Sequence, residues 1–315
     1  MKVLIAFNPV AGKGRGAPTA RALQRHLEDG SPDSNEPLKV SLIETQLGAG
    51  AAWLTEPLRK TDLLVIIGGD GAVRMVAPEA IKASIPIYHY PSGTENLFSR
   101  DHGMTADPER LLQAIRRWEI LETDVAEVEG AFMMLCASMG FDAEVVHDLA
   151  RHRSGPISHF SYVAPILRTL FRHPWCRLRG QFSISLDGGA FTHPRHGLLV
   201  IANSRQYALR MDPARTANLT DRHLDVVLLP SKSAFGLLIW ALRCRLGRHM
   251  HHPAVFLGRA ERLKIRSEPG EKLQVDGEPV VPGSNFTEIE AHILEERLLV
   301  LKPPSEKSFI SENRS

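Results

Sequence analysis

The sequence predicts a parallel α/β domain followed by a mostly antiparallel, β-rich domain. Strand-like apolar runs alternate with helical segments over the first third of the chain. A glycine-bearing turn follows three of those runs, and beyond residue 122 the pattern shifts to short strands separated by turns. With 315 residues, 43% hydrophobic and 23% charged, the chain is long enough for two cores.

Residues 2–7 read as a buried strand, closed by Asn8-Pro9 and the turn Ala11-Gly12-Lys13-Gly14-Arg15-Gly16. Residues 17–28 read as a helix with Ala20, Leu23 and Leu27 on one face. A polar loop (29–37) precedes a second strand (40–44) and a second helix (49–59). Residues 62–67 are nearly all apolar, as in a parallel strand covered on both faces, and run into Gly68-Gly69-Asp70-Gly71. A further helix leads to a fourth strand (85–90) ending in Pro91-Ser92-Gly93-Thr94. Such alternation implies right-handed crossovers.

In the second part, strands are expected at 181–186, 198–203, 225–229, 261–266 and 273–275, with helices at 158–172 and 233–246. Residues 298–301 form one more apolar strand. The domains are therefore 1–122 and 123–295, with 304–315 a disordered tail. In the first of these two helices, Phe160, Val163, Leu167 and Leu170, with Ile166 beside them, are expected to face the core; an acyl-chain pocket is the alternative. The second, with Trp240 and the nearby Arg243, Arg245 and Arg248, is also expected to pack inward, a membrane-surface helix being its alternative.

A net charge of +2 gives no strong field, and no basic stripe interleaved with aromatics points to nucleic acid. Cys136, Cys176 and Cys244 form no CxxC pair, which argues against zinc or a disulfide framework and for a reducing compartment. The longest apolar run, 234–242, falls short of the roughly 20 residues of a spanning helix. The N-terminal run is too short for a signal peptide. The expected location is cytoplasmic or peripheral to a membrane, and a dimer is compatible with the sequence. The run His249-Met250-His251-His252 lacks a second ligand cluster and reads as a solvated loop.

The chemistry concentrates in the three turns, because ligands bind beyond the carboxyl ends of parallel strands. The first resembles a phosphate cradle with a lysine, without the GxxxxGK[ST] spacing. The second lets a phosphate approach glycine backbone, with Asp70 as a proton acceptor or magnesium partner. In the third, Thr94 and Asn96 either bind phosphate or ribose or cap the next helix.

In order, FNPVAGKG, IIGGDGAVRMV and YPSGTENLFSR resemble the signatures of diacylglycerol-kinase-type catalytic domains. Gly140-Phe141-Asp142-Ala143, Asn203, Pro213-Ala214 and Gln274-Val275-Asp276-Gly277-Glu278-Pro279 are similar to later elements of that superfamily. The resemblance implies a phosphofructokinase/NAD-kinase-like nucleotide-binding domain and a β-sandwich-like second domain. Residues 296–303 would return to the first domain. It implies ATP and Mg2+ as cofactors and a lipid or lipid-like acceptor, with peripheral membrane contact compatible. Asn8, Gly12, Lys13, Gly69, Gly71, Gly93, Thr94 and Asn96 would meet the nucleotide. Asp70, Asp276 and Glu278 would be catalytic, with either Asp70 or Glu278 as the base, and Asp221 would hold a structural magnesium.

The chain departs from the family pattern at Ala72, Arg74 and Met75, where a Thr and a carboxylate are usual. Leu97 replaces an Asp, Ala208-Leu209-Arg210 replaces a glycine stretch, and Arg222 replaces the glycine of Asp-Gly-x-Leu-Asp. Three readings follow: a kinase with an unusual acceptor, a subfamily variant with ordinary chemistry, or a nucleotide-binding regulator with little turnover. An NAD-kinase-like enzyme is the other alternative. A dehydrogenase is disfavoured, since no GxGxxG opens the first helix.

Overall fold

The computed structural model describes residues 1–9, 14–30, 37–46, 50–152, 159–172, 180–280 and 287–305. The chain divides into two compact units, Met1–Thr123 with Glu296–Ser315, and Asp124–Glu295.

In the first unit, Lys2–Phe7 (β1) leads to the helix Gly16–Asp29 (α1) and the strand Lys39–Glu44 (β2). Ala20, Leu23 and Leu27 recur on the buried face of α1. The helix expected at 49–59 is shorter: a 3₁₀ turn, Ala52–Leu54, and one α turn, Thr55–Leu58 (α2). The Pro57 carbonyl accepts from the Lys60 N–H at 3.2 Å and the Thr61 hydroxyl at 2.9 Å, which closes the helix there. Then come Leu63–Gly68 (β3), Asp70–Ala83 (α3), Ile87–Pro91 (β4), Leu97–Asp101 (α4) and Pro108–Arg117 (α5). β1 pairs in parallel with both β2 and β3, and β3 with β4. Every residue of β3 is buried, as its unbroken apolar run requires. Asp107 caps α5, accepting from the Glu109 N–H at 3.0 Å.

Ile120–Val128 (β5) carries the chain across the unit boundary and forms a hairpin with Ala131–Met133 (β6). Cys136–Met139 (β7), Phe141–His152 (α6), Val163–Arg172 (α7), Gln181–Leu186 (β8) and Arg195–Ala202 (β9) follow. Next are Leu224–Pro230 (β10), Ala234–Arg245 (α8), Phe256–Ala260 (β11) and Arg262–Ser267 (β12). Leu273–Val275 (β13), Glu278–Val280 (β14) and Glu288–Leu301 (β15) complete the order. One layer of the second unit runs β14-β13-β7-β9-β10-β11 and is antiparallel throughout. The other pairs β8 and the first half of β15 with β12. Leu199, Ile201, Val226 and Leu228 from the first layer share a core with Ile184, Leu263, Ile265 and Ile289 from the second. The alternate residues Val200, Ala202, Val227 and Leu229 join Trp240 and Cys244 of α8. The last residues of β15 return to the first unit, where Val300 pairs in parallel with Ile87.

Three expectations need correction, and a fourth, the inward packing of α8, holds on one face only. Val163 and Leu167 of α7 are exposed, with Pro165 and Thr169 buried instead. α8 is apolar on both faces, so packing Leu237, Trp240 and Cys244 leaves the opposite face in solvent. His249 is not in a solvated loop: it is fully buried, its Nε2 2.7 Å from the Pro213 carbonyl oxygen. Pro304, assigned to a disordered tail, is buried and accepts from Arg110 Nη2 at 2.9 Å. Residues 306–315 and Cys176 lie outside the described residues.

Candidate active site

In the first unit, the turns after β3 and β4 pack backbone against backbone. The Ser92 N–H donates to the Gly68 carbonyl at 2.8 Å. A Cβ on Gly93 would stand 2.7 Å from the Gly69 Cα, and one on Gly69 would stand 3.3 Å from the Gly93 Cα. Glycine is therefore required at this crossing. Asn96, left-handed at φ 50°, folds its amide back on Gly93. Its Oδ1 accepts from the Gly93 N–H and its Nδ2 donates to the Gly93 carbonyl, each at 2.9 Å.

Asp70, the first residue of α3, closes the arrangement. Its Oδ2 accepts from the Leu97 N–H and its Oδ1 from the Phe98 N–H, both at 2.9 Å. The carboxylate thus satisfies two orphan donors at the start of α4 and welds the two turns together. Leu97, where the family often has an aspartate, still supplies its N–H. Gly71 is different. A Cβ there would meet nothing within 4 Å, and its φ lies outside the glycine-only region. Thr94 is exposed on the third turn. Of the first turn, Asn8 is described; its carbonyl oxygen would clash with a Cβ on Gly16, so the chain crosses the start of α1 closely. Gly12 and Lys13 lie outside the described residues.

Beneath these turns sits His89, fully buried in β4. Its Nε2 lies 2.9 Å from the Gly68 carbonyl oxygen, the same oxygen that Ser92 N–H reaches. Burial pushes its pKa below the ordinary histidine value, against the opposing pull of Asp70. The neutral ring therefore donates from Nε2 and fixes the Gly68 peptide. Phe98 separates it from His102, with ring centroids 6.2 and 4.3 Å away. Sequence reasoning passed over His89, although a polar residue inside the apolar run Ile87-Tyr88-His89-Tyr90 is itself a signal.

In the second unit, Asp276 and Gly277 form the two-residue turn between β13 and β14, with φ values of 51° and 81°. Paired positive φ angles identify a type I′ hairpin. Asp276 Oδ1 accepts from the Leu135 and Cys136 N–H groups at 2.8 and 3.0 Å, and Oδ2 from the Met134 N–H at 2.8 Å. A chain of side chains supports the turn. Gln274 Oε1 accepts from the Gly277 N–H at 2.8 Å, while its Nε2 donates to Ser138 Oγ at 2.8 Å. Ser138 and Tyr207 both donate to Asp142 Oδ2, at 2.6 and 2.7 Å. Burial first, and then Asp142, push the Tyr207 pKa well above its usual value, so its hydroxyl stays a donor. Glu278 opens β14 opposite Val275 and is half-buried.

Asp221 does not fit a magnesium site. Its Oδ2 is ion-paired with Arg259, and its Oδ1 accepts from the His223 N–H at 3.1 Å. Arg222, at φ 62°, donates from Nη1 to the Leu294 carbonyl at 2.7 Å, and its N–H reaches Asp124 Oδ2 at 2.6 Å. The Arg222 and Arg259 guanidinium groups thus lie among the Asp124, Asp221 and Asp225 carboxylates around this turn. Among the described residues no group of three metal-ligating side chains occurs.

Comparison with known proteins gives the family and the fold. Residues 2–128 match the diacylglycerol kinase catalytic domain, and residues 136–295 match the YegS C-terminal NAD kinase beta sandwich-like domain. The chain belongs to the diacylglycerol kinase catalytic-domain superfamily. A diacylglycerol kinase of Mycobacterium tuberculosis is 24% identical over 289 residues, 89% of this chain and 90% of that protein. One of Bacillus subtilis is 23% identical over 304 residues, covering 92% and 94%. An uncharacterized Synechocystis protein is 23% identical across 95% of this chain and 70% of its own length. The crystal structure of a Bacillus anthracis diacylglycerol kinase shares the fold, with a TM-score of 0.66 at 18% identity, over 96% of this chain and 97% of that one. Measured against the superfamily pattern, Leu97 is a departure in side chain beside an assembled turn, and Met75 lies within α3. No described helix is long and apolar enough to cross a membrane.

Proposed function

We propose that the protein is an ATP-dependent kinase that transfers the γ-phosphoryl group to a hydroxyl of a lipid acceptor, diacylglycerol- or sphingoid-like. Gly71 carries this reading. Among the described residues, no contact or backbone angle requires glycine there. A phosphate drawn to the N-terminus of α3 does require it, because the backbone must be approached closely. Asn8, Gly69, Gly93, Thr94 and Asn96 surround or shape the same turns, and Gly12 and Lys13 belong to the first. The named diacylglycerol kinases among the relatives support the lipid acceptor.

Phosphoryl transfer depends chiefly on positioning and charge neutralisation. Magnesium arriving with the nucleotide would neutralise phosphate charge while keeping most of its waters, so one or two carboxylates suffice. Asp70 and Asp276 act as positioning residues, their oxygens engaged by two and three backbone N–H groups. Glu278 is the group that takes the proton from the attacking hydroxyl. A second reading, a nucleotide-binding regulator, draws support from the same engagement of both aspartates.

The test is transfer of labelled phosphate from ATP and magnesium to a panel of lipids, soluble alcohols and NAD. A labelled lipid formed by the wild type and lost in Glu278→Gln supports the kinase. Labelled NAD would favour the NAD-kinase-like alternative. Absence of any product, with ATP still raising the melting temperature, would leave the regulator.

A further inference from the structure

We propose that the outer face of α8, with the basic residues around it, docks on an anionic phospholipid membrane. A helix that is apolar all round normally lies wholly inside a protein or against lipid. α8 is half of the first case. Leu237, Trp240 and Cys244 are buried, and the Trp240 indole N–H donates to the Pro230 carbonyl at 2.7 Å. The opposite stripe, at spacings of three and four residues, is in solvent: Phe235 is 71% exposed, Leu238 67% and Leu242 60%, with Ile239 and Leu246 beside them. Neither end of the helix is loose. Ser233 Oγ accepts from the Gly236 N–H at 3.2 Å, and Arg215 Nη2 donates to the Cys244 and Arg245 carbonyls at 2.8 Å each. The stripe is thus held outward on a capped helix, and Leu209, 50% exposed at φ 55°, is tied beside it by Arg245 Nη1 at 3.0 Å.

Charge selects the occupant. Between Asp225 and Glu261 the sequence has no acidic residue, but it has Lys232, Arg243, Arg245 and Arg248, besides the Arg259 that pairs with Asp221. Lys232 lies just before the helix, and Arg243, Arg245 and Arg248 surround its C-terminal end. Asp212 is an acid near Cys244, but the exposed leucines lie among Lys232, Arg243, Arg245 and Arg248 with no acidic residue on the helix itself, which suits an interface where acyl chains meet phosphate headgroups. A second copy of this chain would bring the same basic residues against themselves, which like-charge repulsion opposes. Docking of this kind needs no turnover, so it stands apart from the kinase reading.

Sedimentation with vesicles tests it, comparing pure phosphatidylcholine with an equimolar mixture of phosphatidylcholine and phosphatidylglycerol. The full chain is expected to bind the mixed vesicles and to release them near 1 M salt, where the Debye length falls to about 3 Å. Leu238→Ser with Leu242→Ser should weaken binding by at least about tenfold, and Lys232→Gln with Arg248→Gln by about tenfold. These side chains are exposed, so an unchanged urea midpoint would show that each variant is folded. Equal binding by wild type and folded variants would overturn the proposal. So would failure to bind the mixed vesicles, including the case of a wild-type dimer that the leucine variant makes monomeric.

Discussion

Asp70 and Asp276 are both followed by glycine, and both spend their carboxylates on the backbone of another segment. They do so in different settings. Asp70 lies in a helix and caps a second helix with two N–H groups, leaving open space beside Gly71. Asp276 lies in a left-handed turn position and gathers three successive N–H groups, from Met134 to Cys136. The first joins two turns at a helix N-terminus where, among the described residues, a Cβ on Gly71 would meet nothing within 4 Å. The second anchors a hairpin whose next strand begins with Glu278. On the proposed reading, one aspartate builds a place for a phosphate, whereas the other builds a mount for a carboxylate.

The largest effect should come from breaking the mount. Asp276→Ala strands three donors and is expected to cost about 3 kcal/mol, read from the urea midpoint. The glycines sharpen the contrast within the other region. Gly93→Ala forces a Cβ against the Gly69 backbone and should cost about 2 kcal/mol. Gly71→Ala should change stability by less than about 0.5 kcal/mol, while lowering ATP affinity at least about tenfold in a calorimetric titration. A smaller effect is expected from pH. Burial lowers the His89 pKa from 6.5, so the unfolded chain takes up that proton more readily than the folded one. This contribution is present above about pH 6.5 and is lost as pH falls through the folded value. Urea midpoints should therefore fall below pH 6.5, and His89→Gln should flatten the slope.

The parallel layer was legible because its signals are local. The unbroken apolar run of β3 and the glycine turns after β3 and β4 each name their own structure. The sandwich was legible in kind, yet β5 to β7 and α6 passed unread, because their register depends on partners far along the chain. Hydrophobic spacing placed α7 and α8 as helices, but it could not tell a buried face from an exposed one when α8 is apolar on both. The engagement of Asp70 by residues 97 and 98, and of Asp276 by residues 134–136, rests on tertiary proximity that no spacing encodes. That Arg222 would alter the Asp221 turn was legible in the sequence, whereas the pairing of Asp221 with Arg259 was not.

The measurement that tests the central claim most directly is turnover and stability, side by side, for Asp70→Asn and Glu278→Gln. Asp70→Asn replaces an acceptor of two N–H groups by an amide with one acceptor oxygen, and should lose about 1–2 kcal/mol of stability together with activity. Glu278→Gln should keep its ATP affinity and lose phosphoryl transfer. An inactive Asp70→Asn with wild-type stability, beside an active Glu278→Gln, would contradict the account and return Asp70 to the chemical step.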